Sequence, residues 1–394
     1  MRGGAGGGMR RALFLFLFVF LAWAASAPAQ VIVKVTDDIH FRFGLQLQTW
    51  AEWTQDPNSE GYSQNLYIRR IRAALLATIG PKLTIFYQTD NPNVGNSGIT
   101  GAKNSSTGFL TQDAFAEWKL VGEKLMLDGG LFYVPQSRNV LTSTTGVLSL
   151  VGGNFVQQQN AVTGSSTGRD WGFALKGYLV DDHLEYRAGA FSGQRQGISS
   201  QDPPLGPAAG SRNSYRAAAR VQYDVFDTEK GYTYVGTNRG TRKILAIGGW
   251  GDFQGDYKAY GADVAGDFPT VRSDAITFEG DYIWYDGGTQ FQQVLNGTVV
   301  SLLPRQSTLF GCAGYYFDTV KLQPFLRYER LDFHDDALAS REQQRYGGGF
   351  NWYIYGQNLK ISVAYERIVP KIQPSAALIK DTNHLVVQLQ AYYF

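Results

Sequence analysis

Polar and apolar residues alternate along most of this chain with a period of two, and the alternation is clearest just after residue 38. From Ile39 the odd positions read Ile39, Phe41, Phe43, Leu45, Leu47, Thr49, Ala51 and Trp53. The even ones read His40, Arg42, Gly44, Gln46, Gln48, Trp50 and Glu52. A period of two is a β-strand with one greasy and one polar face. Fifteen such residues from 39 to 53 exceed the usual soluble strand length of about 5 or 6. Comparable segments fall at about 65–79, 83–90, 111–120, 124–134, 169–180, 183–192, 214–225, 242–253, 258–267, 274–286, 307–318, 321–333, 343–354, 358–368 and 383–394. The pattern predicts an all-β chain of about sixteen antiparallel strands, with 14 or 18 as neighbouring counts because the tie from Phe226 to Thr241 is long.

Connections alternate in character. Gly80-Pro81-Lys82, Gly122-Glu123, Asp181-Asp182 and Asp318-Thr319 read as tight turns, whereas 91–110, 135–168, 193–213 and 286–306 are long and rich in Gly, Ser, Asn and Gln. Short turns at one end and long loops at the other are the arrangement of a transmembrane barrel. No apolar stretch beyond residue 29 is long enough for a spanning helix, so a membrane role requires a closed barrel. The ending agrees: Asn-His-Leu-Val-Val-Gln-Leu-Gln-Ala-Tyr-Tyr-Phe, residues 383–394, is an amphipathic strand stopping on Phe394. A closed barrel uses such a strand to seal against its first. The ending resembles the C-terminal signature of bacterial outer-membrane barrels, in which the final Phe is read by the barrel-assembly machinery.

Arg2, Arg10 and Arg11 precede an apolar run from Ala12 to Ala25, followed by Ala27-Pro28-Ala29. This reads as a signal peptide over 1–29, leaving a short periplasmic segment at 30–38 and the barrel at 39–394. The run is too short for a membrane anchor. Removing those three arginines leaves 33 bases against 34 acids, so nucleic-acid binding has no compositional support. The single Cys312 excludes an intrachain disulfide. Trp50, Trp53, Trp118, Tyr282, Trp284, Tyr285, Trp352, Tyr353, Tyr392 and Tyr393 cluster near strand ends and predict an interfacial aromatic girdle.

Segment 135–168 is nearly uncharged and is third among the external loops. A loop of this length in a wide barrel is expected to fold inward and narrow the pore, with Pro135, Arg138, Asn154 and Gln157 as its candidate residues.

Several motifs together resemble the phosphate-selective porin O/P family. They are Tyr67-Ile-Arg-Arg70-Ile-Arg72, Gln112-Asp-Ala-Phe115, Gly130-Leu-Phe-Tyr-Val-Pro135, Arg169-Asp-Trp-Gly172, Leu184 to Gly193, Gln323-Pro-Phe-Leu-Arg327-Tyr328 and Gln388-Leu-Gln390. The resemblance covers nearly all of the mature chain. It implies a homotrimeric, 16-stranded channel in which arginines and a few lysines lead anions through a narrow eyelet. One departure stands out: where the family usually has Lys two positions before the Pro of the fifth-strand motif, this chain has Tyr133.

Alternation assigns Arg42, Arg70, Arg72, Lys176, Arg187, Arg216, Arg220 and Arg327 to the inward face as a candidate anion path. Arginine suits this because its fork replaces an oxyanion's hydration. The same alternation puts Glu52, Asp90, Asp128, Asp170, Glu185 and Glu329 inside, so three readings stay open: a salt-bridged, weakly selective pore, an anion-preferring one, and a cation-preferring one. Arg70 and Arg72 carry the best anion case, since no acid lies between Tyr62 and Asp90. Four histidines and no Gly-x-Ser-x-Gly elbow argue against an enzymatic barrel, and no spacing suggests a metal or cofactor. The expected role is passive diffusion of small hydrophilic solutes, ions or phosphate across a lipid outer membrane. The alternative is a structural or receptor barrel that recognises a ligand through its outer loops.

Overall fold

The computed structural model describes residues 31–56, 61–97, 103–165, 167–194, 214–295, 298–371 and 381–394. The expected signal peptide at 1–29 lies outside the described residues, as does most of the long connection 193–213.

In chain order the strands are β1 (Ile32–Lys34), β2 (Ile39–Gln55), β3 (Tyr62–Ile79), β4 (Leu83–Asp90), β5 (Leu110–Val121), β6 (Leu125–Tyr133), β7 (Arg169–Leu179), β8 (Leu184–Phe191) and β9 (Arg216–Asp224). The second half holds β10 (Ile244–Gln254), β11 (Tyr257–Pro269), β12 (Ala275–Asp286), β13 (Gln292–Leu295), β14 (Thr298–Ser301), β15 (Gln306–Tyr316), β16 (Leu322–Phe333), β17 (Gln343–Tyr355), β18 (Leu359–Pro370) and β19 (Thr382–Tyr393). Two short helices, α1 (Arg138–Leu141) and α2 (Gln158–Val162), lie between β6 and β7.

Strands β2–β12 and β15–β19 form a closed antiparallel barrel of 16 strands, in which each pairs with its sequence neighbour. β12 pairs directly with β15 across the β13–β14 hairpin. Closure is made by β19 on β2, from His384 opposite Thr54 to Tyr393 opposite Leu45. β1 pairs with the start of β2 at Phe41 and its neighbours. All sixteen barrel strands coincide with expected segments, within a few residues at their ends.

The side-chain period explains which face is which. In β9 every second residue, Arg216, Ala218, Arg220, Gln222 and Asp224, is buried, while the residues between are exposed. Elsewhere Leu45, Trp171, Phe173, Leu326 and Leu389 point outward, and Gln48, Asp252, Gln323, Glu329, Asn351 and Gln390 are buried. Buried polar groups inside and exposed apolar ones outside invert a soluble protein, as lipid around a polar interior requires. No helix among the described residues is long and apolar enough to cross a membrane.

The tight turns form where the backbone can take positive φ. Gly80 and Gly122 do so at 61° and 54°.

Two expectations need correction. Trp50, Tyr285 and Tyr353 are buried on the inner face and Tyr392 lines an interior cavity, so these are not girdle residues; Tyr282 and Trp352 do face outward. Parity decides this, since Tyr282 and Tyr285 differ by an odd number of residues. The scheme also treats 226–241 as a plain connection, but Glu229, Tyr234 and Thr237 within it are buried against the barrel's inner wall.

Candidate functional site: two cavities and the residues between them

The interior holds two cavities of about 480 Å³ and about 460 Å³. The first, toward the long-loop end, is lined by residues including Trp50, Tyr67, Arg69, Arg70, Asp90 and Asn154. The second, toward the short-turn end, is lined by residues including Arg42, Phe86, Lys119, Lys176, Lys230 and Phe394. Four residues line both: Arg72, Tyr133, Thr144 and Arg169.

β3 supplies Arg72, opposite Gln46, and just before it carries a bulge. Gln48 of β2 faces Arg70 while Thr49 faces Ile68, leaving Arg69 as the extra residue. A bulge sets two residues against one, so Arg69 and Arg70 both serve the interior. Strict alternation sends Arg69 outward, so the expected path does not include it. Arg69 donates to Asn93 Oδ1 at 3.0 Å and lies 5.1 Å over the Trp50 ring. Arg70 donates to Gln48 Oε1 at 2.9 Å. Among the described residues neither forms an ion pair with a carboxylate. Arg72 is paired, with Nη2 2.9 Å from Asp90 Oδ2, and donates through Nη1 to Thr144 Oγ1 at 3.0 Å. Arg169 grips Asp113 with one edge, through Nε and Nη2 at 3.0 and 3.2 Å, and its guanidinium lies 3.6 Å from the centre of the Tyr133 ring.

Residues 134–165 hydrogen-bond to inner-face side chains around the wall. Gln136 donates to Asp252 at 3.0 Å, Asn139 to Glu279 at 3.1 Å, and the Asn154 amide to Glu329 at 2.6 Å. Lys360 Nζ donates to the Thr145 carbonyl at 2.9 Å and Asn351 to that of Leu148 at 2.7 Å. Leu148 and Val156 pack among Trp250, Ile283, Tyr285 and Phe310. The connection between β9 and β10 joins from the other end: Ser143 N donates to the Tyr234 carbonyl at 2.9 Å, and Tyr234 N to that of Leu141 at 3.0 Å. The Tyr232 and Tyr234 hydroxyls donate to Asp113 and Glu185. The signal for this was in the sequence, in two tyrosines and Glu229 on a connection too long for a plain turn.

Of the eight cations expected along a path, Arg42, Arg70, Arg72, Lys176 and Arg327 line one cavity or both. Arg187, Arg216 and Arg220 line neither. They are buried against Glu185, Asp252 and Asp263, at 2.7, 2.5 and 2.6 Å. Glu185 and Glu329, each two residues from an arginine and so on the same face of its strand, pair with Arg187 and Arg327, the latter at 2.6 Å. Of the loop candidates, Asn154 and Gln157 line the first cavity, whereas Pro135 and Arg138 are buried in the wall of contacts. At the short-turn end Lys230 bridges Asp182 and Glu123 at 2.6 and 2.7 Å. Its hydrogen bonds to those carboxylates raise the Lys230 pKa, and the same bond, with one from Lys119, lowers that of Glu123. His183 is held by the Asp224 carbonyl and His384 by Glu52; no group of three metal-ligating side chains occurs among the described residues.

A family model described as phosphate-selective porin O and P matches residues 318–394. The last four barrel strands carry that family's pattern. This stretch includes the Gln323 to Tyr328 and Gln388 to Gln390 motifs of the resemblance. No curated protein sequence matches the chain. Several solved structures do match, and they are porins. OmpF of Salmonella typhi, in complex with daunomycin, aligns with TM-score 0.58 and 12% identity over 92% of this chain and 100% of its own. An anion-selective porin from Comamonas acidovorans gives 0.58 and 10% over 90% and 100%. Pseudomonas putida OprB gives 0.58 and 10% over 90% and 94%. At such identities the likeness concerns the fold of the barrel.

Proposed function

We propose that this protein is a bacterial outer-membrane porin, a water-filled channel for passive diffusion of small hydrophilic solutes and ions, with anion preference set where the two cavities meet. The observation that carries the preference is the charge there: of Arg69, Arg70, Arg72 and Arg169, only the last two form ion pairs among the described residues, with Asp90 and Asp113. Among the described residues the hydrogen-bond acceptors of Arg69 and Arg70 are the side-chain amide oxygens of Asn93 and Gln48, weak partners that an oxyanion can displace. The segment 134–165 supports the reading as the element that narrows the lumen, since its Thr144 hydroxyl accepts a hydrogen bond from Arg72. Phosphate fits as one permeant because guanidinium forks match its oxygens.

The same reading has residues 1–29 removed on export and three barrels assembled through lipid-level apolar faces. Vibrio cholerae OmpT, which has a similar fold, was solved in a trimer form. Phe394 serves the assembly machinery before closure, because in the closed barrel its ring lies against Gly44 and under Arg42. The test is reversal potential in a planar bilayer under a salt gradient, followed by phosphate titration of the chloride current. Anion preference with phosphate block supports the proposal, whereas weak or cationic selectivity reduces the protein to a general pore.

A further inference from the structure

Water inside a barrel calls for polar residues on the inner face, and most of the wall conforms. The short-turn end of β3–β6 does not. There the second cavity is lined by Leu76, Phe86, Phe115 and Met126, joined by Tyr232 from the β9–β10 connection and by Phe394 from the chain end. The Phe86 ring centre is 5.8 Å from that of Phe115, 5.7 Å from Tyr232 and 6.1 Å from Phe394. Gly44 makes the last placement possible, since a β-carbon there would stand 2.1 Å from the Phe394 ring. Phe86 and Tyr232 remain half-buried where they line the cavity.

A cation sits on this aromatic wall. The Arg42 guanidinium lies 4.4 Å from the centre of the Phe394 ring. Among the described residues no carboxylate is within ion-pair distance of it, and its buried Nε has no hydrogen-bond partner. The other cations of this cavity are engaged, Lys176 with Glu117 and Lys119 with Glu123. A guanidinium whose Nε lacks a partner, beside half-buried aromatic rings, complements a solute with one anionic group and one flat apolar ring. Inorganic phosphate or acetate would satisfy the fork and leave the rings wet.

We propose that this cavity is a binding subsite for small aromatic carboxylates, with the carboxylate on Arg42 and the ring against Phe86, Tyr232 and Phe394. The inference rests on the channel reading only for the route by which the solute arrives.

The test is calorimetric titration of the detergent-solubilised barrel with benzoate, cyclohexanecarboxylate and acetate. Benzoate should bind tightest, and Phe86→Leu should weaken benzoate about fivefold, the worth of one aromatic contact, while leaving acetate unchanged. Arg42→Gln should weaken all three. Equal binding of benzoate and acetate by the unmodified barrel overturns the proposal without recourse to any variant, as does a Phe86→Leu barrel that keeps full benzoate affinity. Ordinary anion current in a bilayer with no ring preference in calorimetry would sink the subsite and leave the channel standing. Ring-selective binding without current would do the reverse.

Discussion

Arg138 and Glu229 meet in a two-pronged ion pair, 2.6 and 2.9 Å, although one follows β6 at the long-loop end of the barrel and the other follows β9 at the short-turn end. Both side chains are nearly inaccessible. The pair therefore locks together two connections that enter the lumen from opposite ends. Removing one partner would leave a buried charge bare, a loss of about 3–5 kcal/mol. Glu229→Gln should release the 134–168 loop from the β9–β10 connection, raising single-channel conductance and open-channel noise and lowering the temperature at which the barrel unfolds in a gel-shift assay. Unchanged noise would mean that the remaining bonds around Tyr234 hold the lock alone.

Charge at the junction of the cavities and charge in the wall should behave differently. Arg69→Gln/Arg70→Gln removes two cations that form no ion pair with a carboxylate among the described residues, so the reversal potential should move toward cation preference. Arg220→Gln strips the partner from Asp263, bound at 2.6 and 2.7 Å, in a region that lines neither cavity. It should cost stability and leave the reversal potential nearly unchanged. Equal shifts from the two variants would mean that selectivity follows total lumen charge, not the junction.

How much of this could be read in the sequence depends on the range over which each feature is encoded. Strands such as β9 were legible because alternation is local, and every position from Arg216 to Asp224 obeys it. Arg69 was not, because a bulge is one residue of slippage that only the register between Gln48 and Arg70 reveals. The inner placement of Trp50 and Tyr353 follows from parity, yet amphipathic aromatics near strand ends suggest an interface equally well. Which arginines line open space was legible only in part. Arg187 has Glu185 two residues away on its own face and Arg72 has no acid in its segment, but that Arg187 lines neither cavity follows only from the packing around it.

Tyr133 gives a third prediction, at the place where the resemblance leads one to expect lysine. Its ring covers Arg169 at 3.6 Å. Tyr133→Lys would uncover that guanidinium and add a charge beside it. Phosphate should then block chloride current about tenfold more tightly, the effect of one more cation at partly solvated range. No change in block would place the anion site elsewhere than the junction.

Lys230 makes the last prediction a matter of pH. It ties the β9–β10 connection to two other turns through Glu123 and Asp182, and all three side chains are more than a third exposed, so the energy at stake is small, about 1 kcal/mol or less. The sign follows from the directions of shift. Glu123 is held below its usual value of 4.5, so its contribution is complete above that pH and fades as pH falls through the lowered value. Lys230 is held above its usual 10.5, so its contribution is complete below that pH and fades as pH rises through the raised value. Open-channel noise should therefore be flat between about pH 5 and 10, the span between these limits, and should rise beyond either end. Lys230→Ala should show the higher noise across the whole range, with no step at either limit. A step that survives in Lys230→Ala would assign the titration to another group.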